Sequence, residues 1–251
     1  MKSKRVRIKK QTVLFLTDFH LPYYNEKTFD LVINYALKNY KIDHVILGGD
    51  LIDCFKISRF PRDPFDKLPL HDEIEFVKDW LIDLREIFPK QKITYIKGNH
   101  ERRFETYLHT KAPQLARIQG LSIEEQLELK QRRIKYIDNN EKLINGEPPF
   151  SIGELFFLHG DEIPGGGVSC TRSKYLKVQN NIAFGHHHTV QQYTHKRFTS
   201  IYSAWAVGCM CTTHPEYCPV NQHINGFAII SFSSNGTFKF ENKMIIDNKI
   251  L

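Results

Sequence analysis

The chain lacks a long apolar run. Nowhere in its 251 residues do about 18 apolar side chains follow one another, so no membrane-spanning helix is expected. It also has little that resembles an export signal. The start, MKSKRVRIKKQTVLFLTDFH, is basic, but its apolar part is only Val13, Leu14, Phe15 and Leu16 before Thr17 and Asp18. A secretion signal needs a longer apolar stretch and a small-residue cleavage site, so the reading is a cytoplasmic protein. Cysteines are few and odd in number, five in all. A disulfide framework is not expected in a chain of this length without an export signal. Paired C-x-x-C spacing is missing as well. The segment CMCTTHPEYC therefore leaves two readings, a zinc knuckle from Cys209, Cys211, His214 and Cys218, or buried reduced thiols.

No repeat, low-complexity run or linker is visible, and 41% hydrophobic content is enough for one sizeable core. One domain over residues 1–251 is the expectation. Acidic residues are outnumbered, 28 against 35 Lys and Arg, for a formal charge of +7 with histidine neutral. Such an excess can attract polyanions, nucleic acid among them, but no aromatic-basic stripe accompanies it. Much of the charge sits at Lys2, Lys4, Arg5, Arg7, Lys9 and Lys10, which on the plainer reading only solubilise one end.

What is present is a repeated local pattern. TVLFLTD reads as a short buried strand ending in a carboxylate. EKTFDLVINYALKNY places Phe29, Val32, Ile33 and Ala36 at helical spacing, and HVILGGD is a second apolar run. Strand, helix, strand implies parallel strands joined by a crossover. DEIEFVKDWLIDLREIF reads as a helix stopped by Pro89, and KITYIKGNH as a third strand. Residues 101–135 look helical and charged, with a capping box at Ser122 and Glu125 ahead of EQLELKQRR. They form either a helical cap over a site or a solvated excursion. The second half, from FSIGELFFLHG on, is richer in strands, and Asn235-Gly236 signals a hairpin turn.

The chemistry-bearing residues all stand just after these strands. Asp18 and His20 follow the first, Asp50 and Asp53 the second, Asn99 and His100 the third. His159 follows ELFFL, and His186, His187 and His188 follow NIAF. Any one of them alone reads as a cap or a turn residue. Five apolar strands each running into Asp, Asn or His is a different matter. Ligands in open α/β folds gather at the carboxyl ends of strands. Carboxylate, carboxamide and imidazole together suit two borderline cations.

The series resembles the calcineurin-like metallophosphoesterase superfamily. DFH at 18–20, GD at 49–50, GNH at 98–100, His159 in HG and GHHH at 185–188 match its five blocks in order. The resemblance runs to phage-type and bacterial members and, more distantly, to DNA-repair exonucleases. It implies an α/β fold, a four-layer α/β/β/α sandwich of two mixed sheets with metals at the strand ends. It implies one divalent ion on Asp18, His20, Asp50 and His188, and another on Asp50, Asn99, His159 and His186. Asp50 would bridge them with one carboxylate oxygen to each ion. Manganese leads as the metal, with iron, nickel or zinc also suited. A metal-bridging hydroxide would then attack phosphorus in line. His100 would protonate the leaving group, oriented by Asp53, and His187 would fall at a variable position.

One departure bears on substrate. Protein Ser/Thr phosphatases carry GDxVDRG, with an arginine that grips phosphate, and Cys54 stands in its place here. Arg102, Arg103 and Arg172 are the other candidates for phosphate contact, against the plainer reading of each as a salt-bridged surface residue. The expected function is two-metal hydrolysis of phosphoesters, leaning to diesters. The alternatives are a DNA exo- or endonuclease of the same superfamily and a small-molecule phosphomonoesterase. A scaffold protein that had lost its ligands is disfavoured, since every ligand block is intact.

Overall fold

The computed structural model describes residues 7–59, 68–214 and 220–251. In the first half strands and helices alternate. β1 (Gln11–Leu16) leads to α1 (Glu26–Asn39), β2 (His44–Leu47), α2 (Leu70–Ile87), β3 (Lys92–Ile96), α3 (Asn99–Lys111), α4 (Ile123–Gln126) and β4 (Ile134–Ile137). β1, β2, β3 and β4 are successive parallel neighbours, as crossover helices require. The second half continues with α5 (Asn139–Ile144), β5 (Ser151–Ile152), β6 (Leu155–Phe157), α6 (Cys170–Val178) and β7 (Ile182–Phe184). It closes with β8 (Gln191–Lys196), β9 (Ile201–Ala206), β10 (Asn225–Phe232), β11 (Phe238–Ile246) and β12 (Lys249–Ile250).

Two mixed sheets result. One has the order β12-β11-β10-β1-β2-β3-β4 and the other β5-β6-β7-β9-β8. β1 shows why they stack. Its residues Val13 to Leu16 are all buried, so both faces must be covered. Leu14 and Leu16 point toward α1 and α2, where Val32, Ile33, Val77 and Leu81 meet them. Val13 and Phe15 point the other way, onto Phe157, Ala183 and Trp205 of the second sheet. The outer face of that sheet is closed by α6 through Tyr175 against Phe184 and Ala204. Helix, sheet, sheet, helix is the expected sandwich, with six helices among the described residues.

Local signals explain most boundaries. Asn25 caps α1 by accepting the Thr28 N–H at 3.1 Å, and Phe29, Val32, Ile33 and Ala36 form its buried stripe. Asn235-Gly236 does lie in the β10–β11 turn, where Gly236 has a φ of 85° and Asn235 accepts the Thr237 N–H at 3.1 Å. One helix is shorter than its pattern. EQLELKQRR was expected to be helical, but α4 stops at Gln126 and Glu128 adopts a φ of 50°. The left-handed step lets Leu127 and Leu129 both enter the first core, which outweighs helix propensity. Residues 101–135 thus supply most of α3, all of α4 and the start of β4, with Ile123, Leu127 and Leu129 buried. No helix among the described residues is long and apolar enough to cross a membrane.

Candidate metal centre

β1, β2 and β3 run parallel, and so do β6 and β7, so their carboxyl ends share a direction in each sheet. The loops leaving them are tied together by main-chain bonds. Asp18 N–H donates to Gly49 at 3.1 Å, His20 N–H to Asp50 at 2.9 Å, and Gly185 N–H to His159 at 2.8 Å. The two sheets are joined at the rim where the His186 N–H donates to the Asp18 carboxylate, 2.9 Å from Oδ2.

Turning a side chain inward at the end of a buried strand demands unusual backbone. Asp18, His20, Asp50, His186 and His188 all have positive φ, between 50° and 66°. Each such position costs on the order of 1–3 kcal/mol and persists only where surrounding bonds enforce it. Asp and His tolerate the left-handed region better than most residues, which fits the residue types used. Gly98 and Gly185 mark the tightest approaches. A Cβ on Gly98 would strike the Asp50 carboxylate, and one on Gly185 the Thr17 hydroxyl and Asp18 carboxylate.

Two groups of donor atoms form. In the first, His20 Nε2 lies 3.2 Å from His188 Nε2, and His188 Nε2 lies 3.3 Å from Asp18 Oδ1. In the second, His159 Nε2 lies 3.1 Å from Asn99 Oδ1 and 3.2 Å from Asp50 Oδ2. His186 offers its donor within 4.8 Å of those of Asp50 and His159. Asp50 Oδ2 also lies 3.9 Å from His20 Nε2, so one oxygen faces both groups. Asp50 Oδ1 instead accepts the His100 N–H at 2.9 Å. In this arrangement Oδ2 is the oxygen turned to both groups, and Oδ1 is turned to the start of α3.

The spacing fits divalent ions. Neighbouring ligands around an ion bonded at 2.0–2.2 Å sit about 3 Å apart. The pairing of His20 with His188 is a sharper test. Each ring already has a partner at Nδ1, Asp53 Oδ1 at 2.9 Å for His20 and Cys211 Sγ at 3.8 Å for His188. With both Nδ1 positions partnered, the facing Nε2 atoms need one positive charge between them, a proton on His188 held toward Asp18 or a cation in its place.

Charge in the cluster is balanced internally. Burial raises the Asp18 carboxyl, but His188 overrides this and holds it well below the usual range. Burial likewise opposes ionisation of Asp50, and His100 and His159 pull it well down. Burial depresses His186 to about 4, with His159 adding to the effect. His188 is pushed up to about 9, because Asp18 outweighs the burial that lowers it.

His100 stands at the edge of the shared oxygen, its Nε2 3.7 Å from Asp50 Oδ2. Its Nδ1 meets Asp53, 2.7 Å from the carbonyl and 3.0 Å from Oδ1. The same Oδ1 serves His20, so Asp53 orients two rings rather than one. Of the three arginine candidates, Arg103 reaches this place. Its guanidinium donates to His100 Nε2 at 2.7 Å and to the Asp53 carbonyl at 2.9 Å. Arg102 pairs with Asp161 at 2.6 Å, and Arg172 is exposed on α6. His187 turns toward Phe184 and Gly166.

Sequence reasoning missed several supports. Glu101, fully buried, accepts the N–H groups of Asp50 (3.0 Å), Leu51 (2.8 Å) and Gly98 (2.6 Å) and the Tyr95 hydroxyl (2.5 Å). Its place directly after GNH was the available signal. Lys174 donates to the carbonyls of Gly160 (2.5 Å), Ile163 (2.8 Å) and Gly165 (3.2 Å). The His223 ring lies 4.5 Å from that of His188. Cys209 and Cys211 are buried thiols and His214 is exposed, while Cys218 lies outside the described residues.

Comparison with known proteins bears on this rim. A family model described as calcineurin-like phosphoesterase matches residues 11–219. No curated protein matches in sequence. Among solved structures, Vps29 of Chaetomium thermophilum is similar at 12% identity and a TM-score of 0.39, covering 92% of this chain and 96% of that one.

Proposed function

The chain belongs to the calcineurin-like phosphoesterase family, and from that premise we propose that it hydrolyses phosphoester bonds with two divalent ions at this rim. The observation that carries the reading is Asp50 Oδ2, 3.2 Å from His159 and 3.9 Å from His20, facing both donor groups at once. One ion would take Asp18, His20, Asp50 and His188, the other Asp50, Asn99, His159 and His186. Manganese is the first choice, and iron, nickel or zinc suit the same nitrogen and oxygen donors. Bound there, the pair would supply charge for the phosphoryl oxygens and acidify the attacking water. The chain's own groups do the rest. Asp53 holds His20 and His100 by Nδ1, and His100 Nε2 accepts from Arg103. With Arg103 turned to the substrate, His100 protonated at Nε2 would deliver that proton at the leaving-group oxygen.

Diesters are the first substrate class. The support is the charge of +7, which steers polyanions. Phosphomonoesters are the second, favoured by Arg103, whose place beside His100 lets it grip a terminal phosphoryl oxygen. The test begins with elemental analysis after growth in metal-rich medium, where about two ions per chain are expected. Less than one ion after reconstitution defeats the reading. A panel in manganese follows, with bis-p-nitrophenyl phosphate, p-nitrophenyl phosphate, a 2′,3′-cyclic nucleotide, and single- and double-stranded DNA. Diester cleavage lost in Asp50→Asn is expected. Monoester cleavage alone, with KM raised about tenfold or more in Arg103→Ala, promotes the second class. DNA cleavage that weakens with salt makes the protein a nuclease.

A further inference from the structure

The three ring partners at this rim are not alike. His20 Nδ1 meets a carboxylate, Asp53 Oδ1 at 2.9 Å, and His159 Nδ1 meets a carbonyl, Gly48 at 2.9 Å. These are the usual partners of a metal-binding imidazole. His188 Nδ1 meets a sulfur instead, Cys211 Sγ at 3.8 Å. Its other nitrogen, Nε2, is the one that faces Asp18 Oδ1 at 3.3 Å and His20 Nε2 at 3.2 Å. The Cys211 sulfur also lies within 4.8 Å of a His20 nitrogen, so it stands beside the donor set and touches the ring at its Nδ1 side.

Cys211 is also fixed in place. It is 5% exposed, and its main-chain N–H donates to the Asp18 carbonyl at 3.0 Å, beside that of Met210 at 3.1 Å. The Asn225 amide holds the Cys211 and Cys209 carbonyls from the far side, at 2.7 and 3.0 Å. One short loop thus grips Asp18 by its backbone and His188 by its sulfur. Both residues belong to the same donor group.

We propose that Cys211 is a positioning residue for the metal centre, its sulfur accepting the His188 Nδ1–H so that Nε2 is presented to the ion. The inference rests on the two-metal reading above. A thiol is a weaker acceptor than a carboxylate, so its contribution is to ring orientation and tautomer more than to basicity. Loss of such a partner typically lowers metal affinity about 10–100-fold.

Equilibrium dialysis against manganese tests it, on wild type, Cys211→Ala and Cys211→Ser. Each is also made with His186→Ala, which weakens the other donor group and leaves the isotherm to report the His188 side. Circular dichroism checks folding. Cys211→Ala is expected to weaken the His188-side ion about 10–100-fold, and Cys211→Ser, which keeps an acceptor, to recover most of the loss. An alanine isotherm equal to wild type overturns the inference, while two ions per chain would leave the two-metal reading standing. A serine variant as weak as alanine also overturns it, because packing would then be the cause. The cobalt-loaded wild type is the second arm. An intense thiolate-to-cobalt band would make Cys211 a direct ligand and overturn the positioning role. Should the alanine variant not fold, the serine isotherm and the cobalt spectrum decide. A wild type that binds a single ion sinks the two-metal reading alone, and the same variants then decide on that ion. A wild type that binds none overturns both.

Discussion

The two halves of the rim are built by different means. On the first sheet, carboxylates from helices staple separate loops to each other. Glu101 on α3 gathers N–H groups from the loop after β2 and from the loop after β3. Glu73 on α2 accepts the N–H of Cys54, just past Asp53. On the second sheet, the loop after His159 is stapled mostly to itself. Glu162 accepts the N–H groups of His159 (3.0 Å) and Gly160 (2.6 Å), and Lys174 takes the loop's carbonyls. Beyond that, residues 164–169 are exposed.

The difference bears on how a phosphoryl group would be held under the proposed function. A helix N-terminus such as that of α3 is normally a ready anion site. Here two of its N–H groups are already taken, Gly98 by Glu101 and His100 by Asp50. On the proposed reading, a phosphoryl group would be held by the metals and by side-chain cations such as Arg103. The cross-linked first half can hold ligand geometry, while in the second half the exposed stretch 164–169 lies beyond His159 and apart from its bond to Gly48.

The largest effect breaks both halves together. Asp50→Asn removes the oxygen the two donor groups share and should lower metal content and turnover in parallel, read by elemental analysis and rate. His100→Ala comes next. It should keep both metals and lose about 10²–10⁴-fold in kcat on a poor leaving group. The loss should shrink for p-nitrophenol, which departs without help. A wild-type rate on the poor leaving group would remove the acid role.

A paired comparison tests the contrast itself. Glu101→Gln presents an amide to several buried N–H groups, each worth about 1–3 kcal/mol when left unmatched. It should lower both the melting temperature and metal content. Lys174→Met strips donors from a loop that borders solvent. It should cost about 1–3 kcal/mol, spare the metals, and act mainly on KM. Equal metal loss in both variants would mean that the halves are not built differently.

Much of the site was legible because its signal is local. A buried strand must end in a turn, and Asp, His or Asn at that turn can be read directly, as at Asp18, Asp50, Asn99 and His159. The sandwich was legible only through the resemblance carried by the five motif blocks, and β1, buried on both faces, agrees with it. What was not legible depends on contacts far apart in sequence. Cys211 meets His188 across 23 residues, and Asp53 meets His20 across 33. No spacing rule announces either. The α4 region failed for another reason. Its capping box and charged pattern are truly helical, but Leu127 and Leu129 both have buried places to fill, and a left-handed residue between them satisfies both.

The smallest effect concerns the second staple of the first half. Burial raises the Glu73 carboxyl to about 7, with Asp53 adding to the rise and the N–H of Cys54 working against it. In the unfolded chain the same group titrates at its ordinary value near 4.5. The folded protein therefore binds one more proton than the unfolded chain between these two values. The sign follows from linkage, with Glu73's contribution fully present below about pH 4.5 and lost as pH rises through about 7. Glu73→Gln removes that dependence and still offers an oxygen to Cys54. Melting curves of the chelated protein at pH 5 and pH 7 should show wild type losing stability relative to the glutamine variant. Parallel behaviour would mean that Glu73 is ionised throughout this range, a charged staple over the whole of it.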